Sequence, residues 1–136
     1  LGVSQLKRIK CIVSKRHEVG KKYFEKLKNN KNIYIPEGSR IYAKNIYWVI
    51  AIVITNKDLK IDAKQLMKKL LNYGIQTRPF FWPMHKQDIF KKEGLFKGIK
   101  LKNSEFISKN GFYLPSGIGL KNQELKFIIK SLNSIL

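Results

Sequence analysis

The sequence predicts a mixed α+β (α/β-class) domain, on three observations. Apolar residues at Val3, Leu6, Ile9, Ile12, Val13, Tyr23, Phe24 and Leu27 recur mostly three or four apart, as one face of a long helix requires. The run 46–54 is β-branched and aromatic throughout, which reads as a strand covered on both faces. Two later helical stripes carry their own start signals, at Asp62 and at Asn122. The expected organisation is one domain over 1–136. It has a long linking helix over 1–30, then a small, mainly antiparallel sheet covered by helices over 31–136.

Each element has a local reason. Lysines and arginines fill the second face of the first helix until Asn29-Asn30 ends it. The helical pattern is under way from Leu1 with no clear cap, so a fragment of a longer chain is expected. Ile33-Tyr34-Ile35-Pro36 is a short extended piece before a Gly38-Ser39 turn, and Trp48 in the strand that follows reads as core. Asp62 and Gln65 form a capping box ahead of Leu66, Met67, Leu70 and Leu71, and Gly74 sits where that helix should stop. Thr77-Arg78-Pro79 is extended at its end, because a residue before proline avoids the α region. Residues 80–87 form an aromatic, proline-interrupted loop. Asn103 is expected to cap a short helix that Gly111 stops, and Phe112-Tyr113-Leu114-Pro115 is a short strand. Asn122 is expected to cap the last helix, with the stripe Leu125, Ile128, Ile129, Leu132 and Leu136.

Twenty-eight Lys and Arg against nine Asp and Glu give a net charge of +19, which suggests a polyanion partner. The distribution argues otherwise. The excess is spread along the chain, and only Arg8, Arg16, Arg40 and Arg78 are not lysine. Lys, Asn and Ile together are what an AT-rich coding sequence writes onto any protein, so the lysines read as a solvated surface. No uncharged apolar run approaches the ~20 residues of a membrane span, and Lys7, Arg8 and Lys10 interrupt any leader-like segment. A cytoplasmic protein without a membrane partner is expected.

Little unaided chemistry is on offer. The only histidines are His17 and His85 and the only thiol is Cys11, so no metal-ligand spacing exists and no metal is expected. Cys11 reads as a small buried hydrophobe on the first helix, and His17, among charges, as solvated. Neither a P-loop nor a dinucleotide fingerprint occurs. What stands out is 74–87, where two prolines, three aromatics, Arg78 and His85 concentrate in a loop, the place where binding groups gather.

On that segment the chain resembles the C-terminal small domain of the sugar-nucleotide aminotransferases of the DegT type. These are fold-type I enzymes that use pyridoxal 5'-phosphate (PLP). The stretch Thr77-Arg78-Pro79-Phe80-Phe81 with Pro83-Met84-His85 is most like the perosamine-synthase branch of that family. Gly2-Val3-Ser4-Gln5-Leu6, Asn45-Ile46-Tyr47-Trp48, and 111–117 with Gly119-Leu120 follow in the family's order. Two departures stand out: Lys7 occupies a position where Glu is common, and Lys121 replaces a Thr-type cap. The resemblance covers nearly the whole chain but leaves out the family's large domain, with its Schiff-base lysine and the aspartate that faces the pyridine nitrogen.

The resemblance implies amino transfer from glutamate to a nucleotide-linked 4-keto-6-deoxyhexose in a homodimeric enzyme of surface-polysaccharide synthesis. It implies no catalytic residue in this chain. Its share would be to close over the substrate through Arg78, His85, Phe80, Trp82 and Met84. Arg78 could fork onto a phosphate or carboxylate, or instead form a salt bridge or satisfy a helix end. His85 could donate to a sugar hydroxyl or phosphate, or instead support the loop. Phe80, Phe81 and Trp82 read as core and cleft wall. Two rival readings are a basic nucleic-acid-binding domain with the loop as stacking platform, and an inactive remnant of an aminotransferase gene.

Overall fold

The computed structural model describes residues 2–136. The long first helix forms in two pieces, α1 (Gly2–Lys7) and α2 (Ile9–Leu27), because Arg8 leaves helical geometry at φ −106° and ψ 3°. Only the second half of α2 is buried, through Val19, Gly20, Tyr23 and Leu27. Val3, Leu6 and Ile9 lie exposed, and so does Cys11, which corrects its reading as a buried hydrophobe. The apolar stripe is real, but its first turns have nothing to pack on within the described residues.

Six short strands follow from β1 (Ile33–Tyr34) to β6 (Gly111–Leu114). β2 (Ser39–Arg40) and β3 (Ala43–Lys44) make a separate hairpin whose tip, Ile41-Tyr42, is exposed. The main sheet runs in the order β1, β4 (Ile50–Ile54), β6, β5 (Arg78–Pro79), antiparallel throughout. Period-2 alternation sends Ile50, Ile52, Ile54, Phe112 and Leu114 into one core. There they meet Tyr23 and Leu27 of α2, Leu66 and Leu70 of α3 (Ala63–Asn72), and Leu125 and Leu132 of α6 (Asn122–Ile135). Val53 and Tyr113, also buried, lie on the opposite face, which α5 (Lys102–Asn110) covers.

The central strand is shorter than the pattern suggests. It starts at Ile50, because Tyr47 takes a left-handed backbone at φ 51° and turns the chain before pairing begins. Trp48 is consequently 60% exposed rather than core. α3 begins as expected. Asp62 Oδ1 accepts from the Gln65 N–H at 2.7 Å, and Gln65 Oε1 accepts from the Asp62 N–H at 3.0 Å. It ends at Gly74, whose φ of 73° lets its own N–H and that of Ile75 fold back onto Leu71 and Leu70.

Two expected caps shift by one position or more. α5 starts at Lys102, so Asn103 lies inside it, and Glu105 Oε1 satisfies the Leu101 N–H at 3.2 Å. In α6, Asn122 is the first helical residue and Lys121 stands at the cap. Glu124 accepts from the Lys121 N–H at 2.7 Å, while the Asn122 side chain instead accepts from Lys22 across on α2. A glutamate in the first turn does the capping in both cases, at the fourth helical position in α5 and the third in α6. A short helix, α4 (Asp88–Lys92), completes the fold, and no helix among the described residues is long and apolar enough to cross a membrane.

Candidate functional site

The aromatic loop leaves the edge strand β5. Pro79 belongs there, since an edge strand can spare the N–H that proline lacks. Register places Arg78 opposite Tyr113, so the two side chains stand on one face of the sheet. Arg78 is exposed, and no ion pair or side-chain hydrogen bond engages it among the described residues. Phe80 drops onto Gly111, which leaves room for its ring, and its centroid lies 4.7 Å from that of Tyr113. Phe81 sits edge-on to Tyr113 at 5.7 Å and stacks with Trp48 at 6.2 Å.

The result is an aromatic surface beside an unengaged guanidinium. Trp48 and Phe81 are both more than half exposed. The Trp48 carbonyl accepts from Arg16 Nη1 at 3.0 Å and from Ser116 Oγ at 3.3 Å, which fixes the backbone under the ring. Burial raises the Tyr113 phenol above its ordinary pKa, so it stays protonated through the neutral range.

The second half of the loop is a 3-10 turn, Met84–Lys86, opened by Pro83. Trp82 and Met84 are exposed, and the Trp82 indole N–H donates to the Lys86 carbonyl at 3.0 Å. His85 goes the other way. It is 6% exposed, and its Nε2 lies 3.0 Å from Glu105 Oε1 on α5. Lys86 Nζ meets the other carboxylate oxygen at 2.9 Å. One carboxylate therefore pins two successive loop residues and the start of α5. Arg78, Phe80 and Phe81 share the sheet-edge surface with Trp48 and Tyr113, whereas His85 faces the interior. Trp48 reads from the sequence as core and Tyr113 as part of a short strand, and neither Arg16 nor Glu105 is given a role there. The spacing of Glu105 from an unrecognised cap at Leu101 was the one local signal for the last of them.

Hydrogen bonds from His85, first, and then Lys86 hold the Glu105 carboxyl down at about 2, against an ordinary 4.5. A depressed carboxylate contributes stability that is complete above its ordinary pKa and is lost as pH falls through the folded value. Trp82 fluorescence should therefore report a closed loop from neutral pH to about 4.5 and loosening only on the way to about 2. In Glu105→Gln the loop should already be loosened at pH 7. Identical acid profiles for the two proteins would contradict the pin.

PLP finds no seat among the described residues. Holding it takes a lysine amine and, opposite, a carboxylate for the pyridine nitrogen. Lys86, the lysine of the loop, is paired with Glu105. The cavity beside α3 joins Lys57, Lys60 and Lys109 with Asp62, but that carboxylate is committed to capping α3. No group of three or more metal-ligating side chains occurs among the described residues.

The family model of the DegT/DnrJ/EryC1/StrS aminotransferases matches residues 1–133. A GDP-perosamine synthase of Vibrio cholerae is 27% identical over 128 residues, 94% of this chain and 34% of its own length. That of Caulobacter vibrioides is 26% identical over all 136 residues, 36% of its length. The chain thus spans about a third of these curated relatives and corresponds to their C-terminal part. Among solved structures, PseC of Helicobacter pylori, an aminotransferase of pseudoaminic acid biosynthesis, superposes with a TM-score of 0.85 at 22% identity. The match covers 98% of this chain and 35% of PseC. An Escherichia coli GDP-4-keto-6-deoxy-D-mannose-3-dehydratase with bound hydrated PLP gives 0.76 at 20% identity, over 96% of this chain and 33% of the enzyme. At these identities the superpositions show a shared fold.

Proposed function

The chain belongs to the DegT/DnrJ/EryC1/StrS aminotransferase family, and from that premise we propose that it is the small domain of a PLP-dependent sugar aminotransferase. Its substrate is a nucleotide-linked 4-keto-6-deoxyhexose of the perosamine type, with glutamate as amino donor, in a cytoplasmic homodimer. The cofactor and the Schiff-base lysine lie in the large domain of the intact enzyme. What supports this reading is the family match together with one local observation: an exposed, unengaged Arg78 beside a half-exposed aromatic surface.

The residues divide the work by chemistry. The Arg78 guanidinium offers a planar fork to a phosphate or carboxylate of the substrate. Phe80, Phe81 and Trp82, with Met84, form the apolar wall that excludes water and accepts the sugar's less polar face. His85 acts through position: buried on Glu105, it anchors the turn that carries Trp82 and Met84. Transamination itself needs groups that this chain does not supply.

Incubation of the isolated chain with PLP, borohydride trapping and peptide mapping test the division. Scattered, substoichiometric labelling of surface lysines and no turnover of a sugar nucleotide are expected. Stoichiometric labelling of one lysine accompanied by turnover would overturn it.

A further inference from the structure

A bulky aromatic residue seldom adopts a left-handed backbone, yet Tyr47 does, at φ 51°. Three contacts hold it there. Asn45 Oδ1 accepts from its N–H at 2.8 Å, and its carbonyl accepts from Arg16 Nη1 at 3.3 Å. Its ring fills a slot between Gly20 of α2 and Gly38, at either of which a Cβ would collide with it. Two side-chain-free positions and a strained backbone thus plant this ring at the wall of a cleft between α2 and the β2–β3 hairpin.

The cleft has a volume of about 390 Å³, within the range of small-molecule pockets. His17 and Lys21 line it from one face of α2 and Lys28 from the cap at its C-terminal end, and Ser39 and Lys44 line it from the hairpin side. His17, read from its charged neighbours as solvated, is only partly exposed. Its Nε2 is buried, with no hydrogen-bond partner among the described residues. A buried polar atom left unpaired costs stability unless something fills the vacancy. Glu25, the carboxylate on the rim, is held among the described residues only by an exposed pair with Lys21 at 3.8 Å, which is easily rearranged.

We propose that this cleft binds the phosphate group of a small molecule. His17, part-exposed on the cleft wall, turns its ring so that Nε2–H donates to a phosphate oxygen, the three lysine ammoniums neutralise the charge, and the Tyr47 and Phe24 rings flank the remainder of the ligand. The site is distinct from the Arg78 surface, since Tyr47 turns into this cleft while Trp48 stacks on Phe81. It does not depend on the aminotransferase reading.

The chain has only two histidines, so His85 is an internal control for His17. Inorganic phosphate, pyrophosphate and a nucleoside diphosphate are titrated into the ¹⁵N-labelled chain, with chloride holding ionic strength constant, and both imidazoles are followed by NMR. Saturable shifts at His17 with His85 unmoved are expected, weakened tenfold or more in the double variant Lys21→Gln/Lys28→Gln. Saturation by phosphate or pyrophosphate identifies a free anion as sufficient, and saturation by the nucleoside diphosphate alone identifies a nucleotide; both support the site. Equal movement of the two histidines, no movement beyond chloride, or unchanged affinity in the double variant overturns it.

Discussion

Gly111→Ala should lower the stability of the chain by about 3 kcal/mol, the upper part of the usual overpacking range, and its melting temperature by roughly 10 °C. Gly111 opens β6 where α5 ends, and Phe80 lies across it. A Cβ there would come within 2.6 Å of the Ile107 carbonyl oxygen and 2.8 Å of Phe80 Cε2. The carbonyl belongs to the last turn of α5 and accepts the Gly111 N–H, so it cannot retreat without opening the helix end. The ring can move only by leaving Tyr113. Gly117→Ala, with nothing within 4 Å of its Cβ, is the matched control and should melt close to the parent chain. Urea unfolding of the three proteins decides it. Equal midpoints for Gly111→Ala and the parent would show that Phe80 is not packed as described.

The regular elements were readable because their causes are local. The Asp62–Gln65 box, the Gly74 stop and the short apolar run Phe112-Tyr113-Leu114 each lie within a few residues of what they determine. What escaped depends on distant partners. Trp48 looks like core because its neighbours are apolar, yet the turn at Tyr47, made possible by Gly20 and Gly38, brings it to the surface beside Phe81. The tie between His85 and Glu105 crosses 20 residues, and no spacing rule connects a loop histidine to a helix that follows another helix. Arg78 and the aromatic loop were visible as composition. Their division into an outward Arg78 surface and an inward His85 anchor was not, because it depends on which way a 3-10 turn faces.

Arg78→Lys should reduce kcat/KM for the nucleotide sugar at least tenfold once the chain is joined to the large domain of a family enzyme. A guanidinium hydrogen-bonded to phosphate or carboxylate contributes ~1.5–3 kcal/mol, and lysine keeps the charge while losing the two-pronged geometry. The fold should be indifferent. Arg78 is exposed on an edge strand and supports no ion pair among the described residues, so its replacement leaves the packing of Phe80 and Phe81 in place. His85→Ala should also slow the sugar reaction, but through loosening of the Trp82–Met84 turn, and Glu105→Gln should reproduce much of that loss. Arg78→Lys should leave Trp82 fluorescence unchanged, which separates lost contact from lost order.

The most direct test of the chain as a substrate-covering domain is stopped-flow measurement of the two half-reactions separately, parent against Arg78→Lys. A tenfold or greater fall in the sugar half-reaction, with the glutamate half-reaction within about twofold of the parent, is the predicted result. A folded variant whose sugar half-reaction is unchanged, or whose two half-reactions fall equally, would contradict it.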